Sequence, residues 1–359
     1  MVLFLFLAAF GFLVSLIICS FFTPFVIKSS LKSGMTTVDA HKTGKPVIAE
    51  SGGLAPLLSF TFSFLVASAV YVIIAILDEN YTQDALGVDL SYYLGGLLSV
   101  VIAGLIGLID DVFGSGGMRW KHKILLGFLP ALPLAVLQAG IPVVTIPVIK
   151  FTLDFNVAYA LIVIPLGMNF AFNSYNMLAG MNGLETGMGL VSFGTVLLAA
   201  LWVGNPFVLI FVSCMIGGLV VLFYFNKYPA KVLIGNAGTL MLGAGLFVVL
   251  VLGNMEGLGI GIFLLYFINF VMFFFYLRDK RSYGPNGKRK RLADIDKAQN
   301  IIPPSPWTVY WILPFKLKGI KEYTNVAFVL CIQAGICLVA LILFVLSIPP
   351  DFSLFRWNF

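Results

Sequence analysis

Asp110 and Asp111 stand side by side at the end of an apolar run, in Gly107-Leu-Ile-Asp110-Asp111-Val-Phe-Gly. Lys123 opens the next run, after Arg119-Trp120-Lys121-His122. Adjacent carboxylates at the end of a membrane helix are costly unless paired, hydrated or bound to metal. Carboxylate oxygens suit Mg²⁺ held jointly with substrate phosphates, and Lys123 is placed to fold back toward the pair. A plain solvated helix end would look similar. The densest polar stretch is Asn173-Ser-Tyr-Asn176-Met-Leu-Ala-Gly180-Met-Asn182-Gly183-Leu-Glu185-Thr-Gly187. Its asparagines can offer neutral oxygen to a metal or hydrogen bonds to a base edge, and a simple turn does not need so many polar groups.

Three further breaks carry chemistry of lower specificity. Asp39-Ala-His41-Lys42-Thr-Gly-Lys45-Pro46 leads to Glu50-Ser-Gly52-Gly53. Lys42 and Lys45 are point charges suited to phosphate, and the glycines let backbone approach a ligand; an ordinary basic loop is the alternative. In Pro229-Ala-Lys231-Val-Leu-Ile234-Gly235-Asn236-Ala-Gly238-Thr239, Asn236 falls about one turn inside a new run, as either a site residue or part of a helix-packing patch. Residues 278–323 hold a basic cluster that includes Arg289 and Arg291. After it, 307–320 is aromatic and too short to span, as expected of an interfacial segment.

The elements that must position these groups are membrane helices. Of 359 residues 60% are hydrophobic and only 11% charged, whereas a soluble domain carries about 25% charge. Apolar runs of about 17–25 residues match a hydrocarbon core of about 30 Å. The expected fold is a single all-α polytopic domain, 1–359, with ten spans near 3–27, 54–76, 93–109, 124–140, 157–175, 188–204, 206–224, 232–253, 257–277 and 325–348. The first run has no basic flank and is too long for a cleavable signal. The four cysteines lie in apolar runs without CxxC spacing and read as small hydrophobes. Of the 22 Lys and Arg residues, 20 fall in alternate breaks, and only Lys150 and Arg356 fall in the others, which carry Asp78, Glu79, Asp84, Asp89, Asp154, Glu256 and Asp351. Lys and Arg accumulate on the cytoplasmic side, so both termini are expected outside and the chemistry-bearing loops inside. The charge of +6 then belongs to one face, for anionic lipid, an anionic substrate, or both.

In order along nearly the whole chain, four strings resemble the polyprenyl-phosphate N-acetylhexosamine-1-phosphate transferases. They are D-x-H-K-x-x-K-P-x-I-x-E-x-G-G (39–53), D-D-V with R-W-x-H-K (110–123), N-M-L-A-G-M-N-G-L-E (176–185) and F-N-x-Y-P-x-x-V-x-x-G-N-x-G-T (225–239). The wording is nearer the eukaryotic and archaeal branch that makes GlcNAc-PP-dolichol than the bacterial peptidoglycan enzyme. The resemblance implies a polytopic enzyme of the plasma membrane, or the endoplasmic reticulum in a eukaryote. It would pass sugar-1-phosphate, most simply GlcNAc-1-phosphate, from a UDP-sugar to a polyprenyl phosphate and release UMP. It also implies Mg²⁺, or Mn²⁺, on Asn176 and Asn236, with Lys123 on the pyrophosphate. Asp110 and Asp111 would position the lipid phosphate or support the metal. Glu50, Gly180 and Asn182 would sit at the nucleoside. Lys42, Lys45, Arg119, Trp120, Arg289 and Arg291 would assist substrate binding. Partners would be the two substrates and membrane lipids, not nucleic acid, with room for a homodimer. Two departures stand out: Asn236 replaces the family's usual Asp, and the last inner loop has no His. A silent substrate-binding paralog is therefore one rival and a lipid flippase another, although transporters place polar groups nearer the midplane.

Overall fold

The computed structural model describes residues 2–77, 83–113, 117–146, 151–284, 287–290 and 292–348, and it is mostly helical. Arg291, Asp78, Glu79, Lys150, Asp351 and Arg356 lie outside the described residues. In chain order the principal helices are α1 (Val2–Ser33), α2 (Leu54–Leu77), α3 (Gln83–Val112), α4 (Trp120–Leu126), α5 (Leu132–Val136), α6 (Ile164–Met177), α7 (Leu184–Val203), α8 (Pro206–Asn226), α9 (Gly235–Leu252), α10 (Glu256–Ile262), α11 (Leu264–Arg278), α12 (Val309–Lys316) and α13 (Glu322–Ser347). Seven of these are long and apolar enough to cross a membrane, or eight if the α10–α11 pair, bent by 52°, is one span.

The expected runs at 124–140 and 157–175 are not single long α-helices. Pro130 and Pro133 divide the first into α4, a 3₁₀ turn (Leu129–Ala131) and α5, because proline donates no N–H and its ring crowds the preceding turn. The second begins as a π-helical turn (Tyr159–Val163) and continues as α6. Conversely, the run expected at 93–109 lengthens to α3. Local chemistry sets other ends. Asn205 caps α8 by accepting from Val208 N at 3.0 Å, with Pro206 in the first turn.

α8 and α9 are buried nearly all round, as helices apolar on every face should be. α8 packs between α1, α2 and α7, and α9 between α3 and α6. Small residues bring the α3–α9 pair unusually close: a Cβ at Gly107 would lie 2.3 Å from the carbonyl oxygen of Asn236. That approach sets the register of the two helices less than one turn from Asp110. Three two-stranded ribbons fill the connections: β1 (Thr36–Val38) with β2 (Val47–Ala49), β3 (Val143–Ile146) with β4 (Phe151–Asp154), and β5 (Asp294–Ile295) with β6 (Ile301–Ile302), all antiparallel. Over the expected interfacial segment, α12 buries Tyr310 and Trp311 rather than lying free. Tyr310 Oη donates to Ala179 O at 3.3 Å, and Trp311 meets Tyr276 of α11 edge to face.

Candidate active site

The end of α3 is locked to the start of α9. The Asp111 carboxylate accepts from Ser51 Oγ at 2.7 Å, Asn236 N at 2.7 Å, Asn236 Nδ2 at 2.9 Å and Ala237 N at 3.1 Å. It thus takes up N–H groups that the first turn of a helix cannot bond internally, and its charge suits the positive end of the helix dipole. Gly235, with φ +70°, makes the approach feasible, since a Cβ there would lie 2.5 Å from Asp111 Oδ2.

Asp110, fully buried, faces the other way. Its Oδ2 is 2.5 Å from Lys123 Nζ, and Oδ1 accepts from Met118 N. The Lys123 ammonium also donates to Asn236 Oδ1 at 3.2 Å. From the end of α6, Asn176 Nδ2 donates to that same Oδ1 and to Thr239 Oγ1, each at 2.7 Å. Asp110, Asp111, Lys123, Asn176 and Asn236, spread over more than 120 residues of sequence, therefore form one hydrogen-bonded cluster.

A cavity of about 220 Å³ adjoins this cluster, with Asn176 and Asn236 on its wall along with Glu50, Gly180, Asn182 and His41. Lys123 and Asp110 do not line it; Lys123 touches Asn236, which does, and Asp110 holds Lys123. One bond within the 180–187 turn and one from outside it shape it: Gly180 N donates to Glu185 Oε1 at 2.6 Å, and Ala230 N to Asn182 Oδ1 at 3.0 Å. Burial, and then the charges of Asp111 and Asp110, push the Glu50 carboxyl up to about 6 from its usual 4.5.

The other expected substrate contacts lie elsewhere. Lys42 is buried in ion pairs with Glu322 and with Asp39 (3.2 Å), its ammonium 4.2 Å from the centre of the Tyr228 ring, so its charge is already engaged. Lys45, Arg119 and Trp120 are exposed and do not line the cavity. Arg289 donates to Leu277 O and to Tyr283 Oη and stacks on Tyr283, which fixes it in its own loop.

The resemblance expects a divalent ion on Asn176 and Asn236, and enzymes of this family generally need Mg²⁺. The donors as arranged do not fit one. Asn236 Oδ1 already accepts from an ammonium and an amide, both Asp111 oxygens are spent on N–H and O–H donors, and Lys123 sits between Asp110 and Asn236 where a cation would bind. Among the described residues no three His, Cys, Asp or Glu side chains converge on a metal position.

Four contributors were not singled out from sequence. Ser51 and Thr239 lay inside quoted strings, where a hydroxyl beside glycine gives no separate signal. Asn226 accepts from Gly183 N at 3.2 Å and Thr186 Oγ1 at 2.9 Å, and could have been found as a buried asparagine at a helix end. Glu322, at the head of α13, accepts from Asn182 N at 2.8 Å besides holding Lys42; an acid opening an apolar run looks like any helix start.

A family description, glycosyl transferase family 4, matches residues 93–254, which include Asp110, Asp111, Lys123, Asn176 and Asn236. A protein of Saccharolobus solfataricus is 26% identical over 335 residues, 92% of this chain and 95% of the relative. Another, of Sulfolobus acidocaldarius, is 30% identical over 271 residues, 73% of this chain and 75% of the relative. Both are provisionally named UDP-N-acetylglucosamine–dolichyl-phosphate N-acetylglucosaminephosphotransferase. A phospho-N-acetylmuramoyl-pentapeptide-transferase of Streptococcus pyogenes is 30% identical over 248 residues, 67% of this chain and 71% of the relative. The chain therefore belongs to glycosyl transferase family 4 and is a multi-pass membrane enzyme of the polyprenyl-phosphate sugar-1-phosphate transferase type.

Proposed function

We propose that this enzyme transfers GlcNAc-1-phosphate from UDP-GlcNAc to a polyprenyl phosphate of the dolichyl type, at the cytoplasmic face of the cell membrane, as the first step of a lipid-linked glycan. The observation that carries the reading is the Lys123 ammonium, held by buried Asp110 and by Asn236 at the cavity wall. Phosphoryl transfer depends on positioning and charge stabilisation more than on covalent catalysis. An oxygen of the lipid phosphate bonds to the β-phosphorus while the bond from that phosphorus to the bridging oxygen breaks. UMP leaves with the bridging oxygen, and the lipid gains sugar-1-phosphate through a new pyrophosphate link. Lys123 neutralises charge building on the non-bridging oxygens. Asp110 positions Lys123 and needs no role as a base, because a phosphate dianion carries no proton to remove.

The choice of sugar is supported by the names of the two archaeal relatives. The inward face is supported by the lysine and arginine asymmetry. The cluster sits where α3 and α6 end and α9 begins, at one end of the bundle and not at its middle, which favours a transferase over a flippase. Incubating the purified protein with UDP-GlcNAc, UDP-GalNAc and a polyprenyl phosphate, then weighing the lipid products, tests the reading. A GlcNAc-PP-lipid is expected. A GalNAc product alone would replace the proposed sugar, and no lipid product would favour the silent paralog.

A further inference from the structure

His41 is 4% exposed, and its Nε2 is fully buried with no hydrogen-bond partner although the residue lines the cavity. Buried side-chain nitrogens almost always find a partner, so an orphan on a residue that lines a cavity is a group waiting for one. The ring is held from behind, with Nδ1 3.4 Å from Glu322 Oε1. Glu322 is itself fixed, since the same oxygen accepts from Asn182 N and its other oxygen pairs with Lys42. A carboxylate only accepts, so an Nδ1–H faces it, and a ring with its one proton there offers a lone pair at Nε2.

The surroundings identify what that lone pair meets. Around His41 stand two carboxylates, Asp39 and Glu322, against the single ammonium of Lys42, so this end is unfavourable for phosphate. The phosphates belong near Lys123. Asn182, beside His41 on Glu322, spends its Oδ1 on Ala230 N, which leaves its Nδ2 donor for the cavity. An acceptor beside a donor matches the imide edge of uracil, where an N3–H lies between two carbonyls. We infer that His41, held by Glu322, is a nucleobase-recognition residue that accepts the uracil N3–H through Nε2, an assignment that rests on the transferase reading.

The test measures binding of UMP and of 3-methyluridine 5′-monophosphate to the full-length protein by calorimetry, with KM and kcat for both substrates in parallel. Wild type should bind UMP about tenfold more tightly than the methylated nucleotide, the loss expected for one buried hydrogen bond. His41→Asn ends at the Nδ1 position and keeps the Glu322 contact, whereas His41→Gln reaches the Nε2 position. Asparagine should therefore raise KM for the UDP-sugar about tenfold, with kcat and the KM for polyprenyl phosphate little changed, and glutamine should stay close to wild type. Equal binding of the two nucleotides by wild type would overturn the assignment while leaving the transferase reading intact, and this comparison needs no variant to fold. An asparagine variant that behaves as wild type while glutamine fails would overturn it too, reducing His41 to a support for Glu322. If wild type bound neither nucleotide, the transferase reading itself would fall.

Discussion

Replacing Asp111 by asparagine should damage the fold before it damages the chemistry. Asp111 accepts four hydrogen bonds, two on each side of the carboxylate. An asparagine can turn its oxygen toward Asn236 N and Asn236 Nδ2, but its NH₂ then faces Ser51 and Ala237. Ser51 can rotate to accept; the backbone N–H of Ala237 cannot. One buried donor is orphaned, at about 1–3 kcal/mol, and two surviving bonds lose their ionic character, at about 1 kcal/mol each. Loss of charge at the start of α9 adds about 0.3–1 kcal/mol. The total, about 3–6 kcal/mol, is a large share of the about 5–15 kcal/mol that holds a typical protein folded. Ser51→Ala removes a single bond and should cost about 1 kcal/mol. Thermal unfolding in detergent, followed by tryptophan fluorescence, should rank wild type above Ser51→Ala and Ser51→Ala well above Asp111→Asn. An Asp111→Asn protein that melts with wild type yet transfers no sugar phosphate would refute the argument and make Asp111 a participant in the reaction.

Lys123→Ala removes the cation proposed to meet the reacting phosphates and Asp110→Asn its anchor; each should lower the transfer rate about 10²–10³-fold, and half the wild-type rate in either would remove that residue from the site. For Glu50, a carboxyl raised to about 6 in the folded protein against 4.5 ordinarily holds its proton more tightly when folded, so stability falls as pH rises through that window. Glu50→Gln should therefore match the wild-type melting temperature below pH 4.5 and exceed it above pH 6, and a pH-independent difference would refute the assignment. Asn236→Asp sets a second carboxylate against Asp111, 2.9 Å from the present donor; it should lower the melting temperature, with Mg²⁺ stabilising it no more than wild type. A larger Mg²⁺ shift in the variant would show that position 236 can hold metal. For orientation, Lys121→Cys in a background without the exposed Cys331 should react with an impermeant maleimide only after cells are opened, and labelling of intact cells would invert the topology.

The sequence exposes the cluster better than its wiring. Asp110, Lys123, Asn176 and Asn236 were recognisable because polar side chains at the ends of apolar runs must meet at one membrane face, and the helix ends here do converge. Their division of labour was not, because whether Asp111 faces a ligand or a neighbouring helix turns on the Gly107–Asn236 approach, a distance no composition encodes. Lys42 looked like a phosphate ligand because its partner Glu322 lies 280 residues away. The run at 124–140 is broken where no break was expected, since hydropathy registers Pro130 and Pro133 as apolar while the backbone registers them as breaks. Arg119 and Trp120 belong to a recognisable string, yet their side chains point to the exterior, and a motif does not record which of its members face inward.

The most direct measurement follows the phosphorus. UDP-GlcNAc labelled at the β-phosphate is incubated with the protein and a polyprenyl phosphate, and the nucleotide and lipid products are separated. The label is expected in the lipid as polyprenyl-PP-GlcNAc, with unlabelled UMP released in equal amount and both products lost in Lys123→Ala. Label released as UDP, with an unlabelled sugar on the lipid, would mean that the bond between sugar and phosphate breaks instead and would contradict the account.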